Sequence, residues 1–140
     1  MRASGVKTAI VSALEAIDPD SNVGGESFRH VDLGGREPGA LTERAFTVDL
    51  TQVGRSAYIT LDCQVVSYEL TVWFHAYQGV EDRIADDAER MIAALNKLHE
   101  QNDDLYAADF DAVDVGPSAI MEGMLEASLD IAVTYRRTGV

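Results

Sequence analysis

Residues 67–77, SYELTVWFHAY, alternate so regularly that this stretch decides the fold. Successive side chains of a β-strand point to opposite faces, so the stretch predicts a strand with one apolar face and one mixed, aromatic face. The apolar face consists of Tyr68, Leu70, Val72, Phe74 and Ala76. The mixed face consists of Glu69, Thr71, Trp73, His75 and Tyr77. A strand of this kind is typical of a sheet that is covered on one side.

A helix is predicted directly after this strand, over residues 81–99 (EDRIADDAERMIAALNKLH). Apolar side chains recur there at three- and four-residue steps, which indicates one buried stripe. The stripe consists of Ile84, Ala88, Met91, Ile92, Leu95 and Leu98. Arg83–Asp87 and Asp86–Arg90 have the spacing of helical ion pairs, and we expect both pairs on the outer surface.

Upstream of the long strand, the sequence predicts a second amphipathic helix and several shorter strands. The helix follows from the stripe Val6, Ala9, Ile10, Ala13, Leu14 and Ile17. It ends at Asp18-Pro19, because the residue before a proline avoids helical backbone angles. Strands are predicted over residues 28–33, 45–50 and 58–63, with a glycine-containing loop over 34–42 and a turn over 51–56.

Downstream of the long strand and its helix, strands are predicted over residues 106–115 and 124–135, separated by a turn at Gly116-Pro117. The order is helix, strands, helix, strands. It predicts an α+β fold in which a mixed or antiparallel sheet is covered on one face by two helices. The length of 140 residues fits one domain, residues 1–140.

The chain is strongly acidic, with 11 Lys and Arg against 24 Asp and Glu and a formal net charge of -13. Such a surface repels phosphate, which argues against nucleic-acid binding and against anionic membranes. Apolar residues make up 46% of the chain, so the charge is not that of a disordered acidic segment. No apolar run approaches the ~20 residues of a membrane-spanning helix, and we expect assembly in the cytoplasm.

Motifs of cofactor and metal chemistry are absent from the sequence. Gly24-Gly25 and Gly34-Gly35 lack the Lys-Ser/Thr of a phosphate loop. The acidic run that contains Asp109, Asp111 and Asp114 does not place glycine and glutamate where a calcium loop needs them.

Catalytic side chains are also not grouped in the sequence. His30, His75 and His99 fall in different predicted elements without a paired spacing. Cys63 is the only cysteine, so an intrachain disulfide is impossible, and we expect it to be a small buried residue. We therefore predict no catalytic residue, no metal site, no cofactor and no enzymatic activity.

The aromatic face of the long strand is the strongest candidate for a binding surface. Trp73 and Tyr77, with His75 between them, lie on the side that two covering helices would leave to water, and rigid aromatics are enriched at protein interfaces. Contacts from long loops are the alternative explanation for these residues. Further interface candidates are Arg36 and Glu37 in the 34–42 loop and Arg44 at its end.

Taken together, these elements resemble a known family. A short N-terminal helix and a glycine-rich loop precede Arg44-Ala45-Phe46, then come YELTVWFHAY, the helix EDRIADDAERMIAAL and a closing strand ASLDIAVTYRR. This order is similar to that of the tail-terminator (minor tail, gpU-like) proteins of long-tailed phages, prophages and gene transfer agents. The acidic charge of the present chain is stronger than that pattern requires.

The resemblance implies a structural virion protein in the tail or neck. It implies a homo-oligomer, a hexameric ring, that caps the tail tube protein, meets the head-tail connector or stopper and lets DNA pass without specific binding. A head-completion or stopper protein of the neck is an alternative of the same class. An alternative of a different class is a small ligand-binding or hydrolytic host domain that uses Asp109, Asp111 or His75. A further alternative is a free-standing dimeric stress or regulatory protein of the host.

Overall fold

Two helices, six strands and a short 3₁₀ helix make up the part of the chain that the structure describes. The structure, a computed structural model, describes residues 1–17, 27–32, 42–54 and 63–137. Its elements are α1 (Ala3–Glu15), β1 (Arg29–His30), β2 (Ala45–Gly54), β3 (Cys63–His75), α2 (Val80–Leu95), the 3₁₀ helix Leu98–Glu100, β4 (Leu105–Phe110), β5 (Asp114–Pro117) and β6 (Met124–Arg136). The predicted α+β class with two helices is confirmed.

All six strands belong to one mixed sheet, in the order β1-β2-β3-β6-β4. β5 pairs with β6 beyond the end of β4. β1 runs parallel to β2, and every other pair is antiparallel. β3 and β6 pair without interruption from Cys63↔Arg136 to His75↔Met124, so the predicted long strand and closing strand form the centre of the sheet.

The main core joins side chains of both helices to alternate residues of the central strands. Leu70 and Phe74 of β3 and Ile131 of β6 are almost completely buried in the same cluster as Ile10 of α1 and Met91 of α2. The predicted stripes and alternations are therefore the residues that leave water, which is the dominant favourable term in folding. Three predicted positions are exceptions. Ile17, beyond the end of α1, and Ile92 of α2 are only partly buried, and Ala76, beyond the end of β3, is exposed.

β2 is longer than predicted. It continues to Gly54 through the residues for which the sequence predicts a turn, and a bulge between Leu50 and Gln52 keeps it paired with β3. A bulge accommodates one extra residue without ending the strand, which explains why the polar stretch after Leu50 remains in the sheet.

Other boundaries also differ from prediction, and β3 covers Cys63–His75 rather than residues 67–77. The strand predicted over 106–115 is divided into β4 and β5, and Gly116-Pro117 lies within β5 instead of forming a turn. Pro117 is tolerated there because β5 is at the sheet edge. α2 ends at Leu95, four residues early, and the 3₁₀ helix follows.

α1 ends at Glu15, earlier than the predicted end at Asp18-Pro19. Almost all of the predicted 34–42 loop and the predicted 58–63 strand apart from Cys63 fall outside the described residues. Among the helices that are described, none has the length and apolar character needed to span a membrane.

Candidate functional site

His75 and Tyr77 form an exposed surface at the end of β3, as the sequence predicts for these two candidates. Tyr77 is 45% exposed, and the chain turns there into α2 through Gly79, whose positive φ of 89° favours glycine. The backbone N–H of His75 donates to Glu43 Oε2 at 2.7 Å, and Arg83 Nη1 donates to Tyr77 Oη at 3.2 Å. We call His75–Tyr77 the aromatic surface.

Glu43 and Arg83, the two residues that support this surface, form an ion pair with each other. Arg83 Nε lies 3.5 Å from Glu43 Oε1, and the two side chains are only 10% and 9% exposed. Burial acts to lower the pKa of Arg83, but the hydrogen bond with Tyr77 and the charges of Glu43 and Asp87 outweigh it and raise the pKa above its ordinary value. The guanidinium of Arg83 is therefore charged at neutral pH, as the ion pair with Glu43 requires.

Arg44, predicted as an interface residue, is instead completely buried. Its Nε and Nη2 donate to Asp87 Oδ2 and Oδ1 at 2.8 Å and 2.9 Å, and its guanidinium lies 5.3 Å from the centre of the Phe28 ring. A bidentate pair of this kind satisfies charges that would otherwise be costly to bury. Arg44 is thus a structural residue of the folded chain, not part of its outer surface.

The backbone of Arg44 has a left-handed conformation, with φ at 62°. Few residues other than glycine adopt it, and it costs of order 1–3 kcal/mol unless the surroundings hold it. Here the N–H of Arg44 donates to the carbonyl of Trp73 at 2.8 Å, and the side chain is anchored on α2. The strained residue turns the chain into β2.

Asp87 was expected on the outer surface of α2 in a pair with Arg83, and this expectation is wrong. Its side chain is 2% exposed and binds Arg44. Arg90 Nη1 also lies 3.5 Å from Asp87 Oδ1. A signal for this existed in the sequence: Asp87 lies three residues after Ile84 and four before Met91, within the apolar stripe. A carboxylate in such a stripe needs a buried cation. We call Glu43, Arg44, Arg83 and Asp87 the ionic junction.

Trp73 is only 3% exposed, so it is not a surface residue of the subunit. It packs with Ala45 and Met124 in a small second core, with Met121 beside them, and its Nε1 donates to Ser118 Oγ at 3.2 Å. The segment between β5 and β6 therefore covers the aromatic face at this point, which is the alternative of loop contacts. Arg36 and Glu37 lie outside the described residues.

An acidic groove of about 370 Å³ lies elsewhere on the sheet, lined among others by Glu69, Asp109, Asp111 and Asp130. Glu69 is directly opposite Asp130 on β6 and Asp49 on β2. Like charges placed opposite each other destabilise a sheet. Within the described ranges, the recorded salt bridges include none of these five carboxylates.

The geometry does not combine His75 with the acidic groove. Asp109 pairs with Ala132, which is opposite Ser67, and His75 lies eight residues further along β3. At ~3.3 Å per residue, His75 lies roughly 26 Å from the level of Asp109 and about 20 Å from Glu69, the groove residue nearest to it on β3, so one site cannot use both. His30 packs against the Phe46 ring, and no group of metal ligands is formed by the residues that the structure describes.

No protein-family model matches the chain, and no curated protein matches it significantly. The features of the molecule that bear on its function are the aromatic surface, the ionic junction and the acidic groove.

Proposed function

We propose that the chain is a tail terminator, a structural virion protein whose subunits form a hexameric ring that caps the tail tube and meets the head-side connector. The observation that carries this proposal is the aromatic surface: an exposed tyrosine and histidine supported by a nearly buried ion pair. Tyrosine contributes large contact area with few rotatable bonds, which suits a protein interface better than a solvent-exposed strand end.

In this proposal both helices lie on one face of the sheet and form its outer layer. The support is the shared core of α1, α2 and the inward residues of β3 and β6. Glu69 and Asp130 occupy the alternating positions between those inward residues, and they are half-buried and exposed, respectively. The opposite face is then open and acidic.

The acidic face is placed toward the opening of the ring. DNA must pass this opening without binding, and carboxylates make no favourable phosphate contacts, whereas each Lys or Arg would add one. The groove with Glu69, Asp109, Asp111 and Asp130 supports this orientation. The competing explanation is that the net charge of -13 serves solubility alone.

The aromatic surface is placed at the contact between neighbouring subunits. Trp73 is left out of this contact because it is buried within the subunit. Arg44 is left out for the same reason. Glu43, the residue before it, accepts a hydrogen bond from the backbone N–H of His75.

Negative-stain images and sedimentation velocity of the purified chain test the proposal. We expect rings, and we expect the double variant His75→Ser/Tyr77→Ser to assemble at least tenfold more weakly than wild type while melting at a similar temperature. Glu81→Ser/Glu89→Ser, at two exposed positions of α2, is the matched control. A wild-type protein that remains monomeric at high concentration contradicts the proposal, and rings that bind connector but not tube indicate a stopper protein.

A further inference from the structure

We infer that Glu43 and Arg83 are positioning residues that hold the aromatic surface in the geometry needed to contact a second copy of this chain. The inference rests on the proposed function and goes beyond it, since neither residue is exposed enough to form the contact itself. Its basis is a continuous path from the backbone of His75 through Glu43 and Arg83 to the phenol of Tyr77.

Glu43 replaces a missing strand partner for His75. The register of β2 with β3 begins at Phe46↔Val72, so the N–H of His75 lies three residues beyond the last strand pair. Without Glu43 Oε2, 2.7 Å away, this N–H has no β2 carbonyl to bind. β6 holds the other side of the strand through the pair His75↔Met124. Glu43, a charged acceptor that forms a short, strong hydrogen bond, therefore fixes His75 on the side that β2 leaves unpaired.

Arg83 fixes the other end of the aromatic surface. It projects from the first turn of α2, and its Nη1 donates to the phenol oxygen of Tyr77. Tyr77 lies outside any strand or helix, so neither regular pairing nor a core cluster defines the direction of its ring. Fixing a side chain before binding removes an ordering cost that association would otherwise include.

The two residues can act only as a pair. Glu43 Oε1 and Arg83 Nε and Nη2 are buried and have no hydrogen-bond partner among the described atoms, while the two charged groups face each other at 3.5 Å. Removing either charge would leave the other buried without its ion-pair partner, which is costly. A change in one residue is therefore transmitted to both ends of the aromatic surface.

A double-mutant cycle tests this path. Arg83→Lys keeps the charge near Glu43 but lacks the planar fork that serves Glu43 and Tyr77 together. We expect Arg83→Lys and Tyr77→Phe each to weaken ring assembly about 2- to 12-fold, the range that corresponds to ordering one side chain. The double variant should assemble as strongly as the single variant with the larger defect, because both changes break the same contact. Arg90→Lys, on the same helix, is the control and should assemble like wild type.

Hydrogen exchange of the monomer tests the hydrogen bond between the His75 amide and Glu43. The amide of His75 should exchange at least tenfold faster in Glu43→Ala and near the wild-type rate in Glu43→Gln, whose amide oxygen can accept the same bond. If Glu43→Ala does not fold, the Arg83 cycle decides alone.

The outcomes separate this inference from the proposed function. If wild type assembles and Arg83→Lys assembles equally well, or weakens assembly equally with and without the Tyr77 hydroxyl, Glu43 and Arg83 are not positioning residues. If wild type never assembles, the proposed function fails and this inference fails with it.

Discussion

The ionic junction and the acidic groove contain the same types of side chain in opposite surroundings. In the junction, Arg44 and Asp87 are almost completely buried and joined by two short hydrogen bonds. In the groove, Asp130 and its neighbours are largely in water and face one another without a salt bridge among the described residues. Buried charges require partners, and exposed charges do not.

The difference indicates what each region does. The junction joins the start of β2, the end of β3 and α2, so its charges define how these elements meet. The groove contributes nothing comparable to the fold, since its like charges oppose one another across adjacent strands. A charge pattern that weakens the folded chain is best explained by a surface function, which is why the proposed function places the groove toward the opening of the proposed ring.

The largest loss of stability is expected from a change in the ionic junction. Asp87→Ala leaves the buried guanidinium of Arg44 without its carboxylate, and we expect a loss of about 3–5 kcal/mol in the free energy of unfolding. Asp86→Ala, the exposed neighbour on the same helix, is the control and should stay within about 0.5 kcal/mol of wild type. Urea denaturation measures both. Equal effects at the two positions would mean that the buried pair does not contribute as its geometry indicates.

The alternating strands and the helical stripes were predictable because each depends on local spacing. Leu70 and Phe74, two inward positions of β3, are buried as expected, and so is Leu95 on α2. Local spacing alone fixes which side of an element becomes apolar, and the sheet and helices then bury that side.

The candidate site was predictable only in part, because its main contacts join distant residues. Arg44 and Asp87 are separated by 43 positions, and Trp73 is covered by Ser118, 45 positions away. No periodicity links such pairs. Exposure was therefore correctly expected for Tyr77, near a turn, and wrongly expected for Trp73, whose cover comes from another part of the chain.

A second comparison concerns polar groups that are buried without carrying a charge. The phenol of Tyr68 donates to the carbonyl of Ala3, and burial, with a smaller contribution from the charge of Tyr135, raises the pKa of Tyr68 above its ordinary value of 10.0. The folded protein therefore holds this proton more tightly than the unfolded chain. The resulting stability is fully present below about pH 10 and is lost as the pH rises through the folded-state value.

Tyr68→Phe should make this dependence visible. We expect a loss of roughly 0.5–1.5 kcal/mol at neutral pH from the missing hydrogen bond, and a smaller decline in stability than wild type shows above about pH 10. Tyr106→Phe, at a residue that is 43% exposed, serves as the control. Urea midpoints measured at several alkaline pH values decide, and parallel declines in Tyr68→Phe and wild type would contradict the assignment.

The acidic groove should give the smallest effect, and one of opposite sign to that of the junction. Glu69 lies between Asp49 and Asp130 on neighbouring strands, so Glu69→Gln removes two like-charge oppositions while keeping the size of the side chain. We expect the free energy of unfolding to rise by about 0.2–1 kcal/mol at low salt, and the gain to shrink as salt screens the exposed charges. Glu126→Gln, which is opposite Trp73 and Gly116 rather than another carboxylate, should produce no comparable gain.

Denaturation of the monomer at two salt concentrations measures the difference. A loss of stability in Glu69→Gln would show that the groove carboxylate has a stabilising role in the subunit, and the contrast with the ionic junction would then not hold.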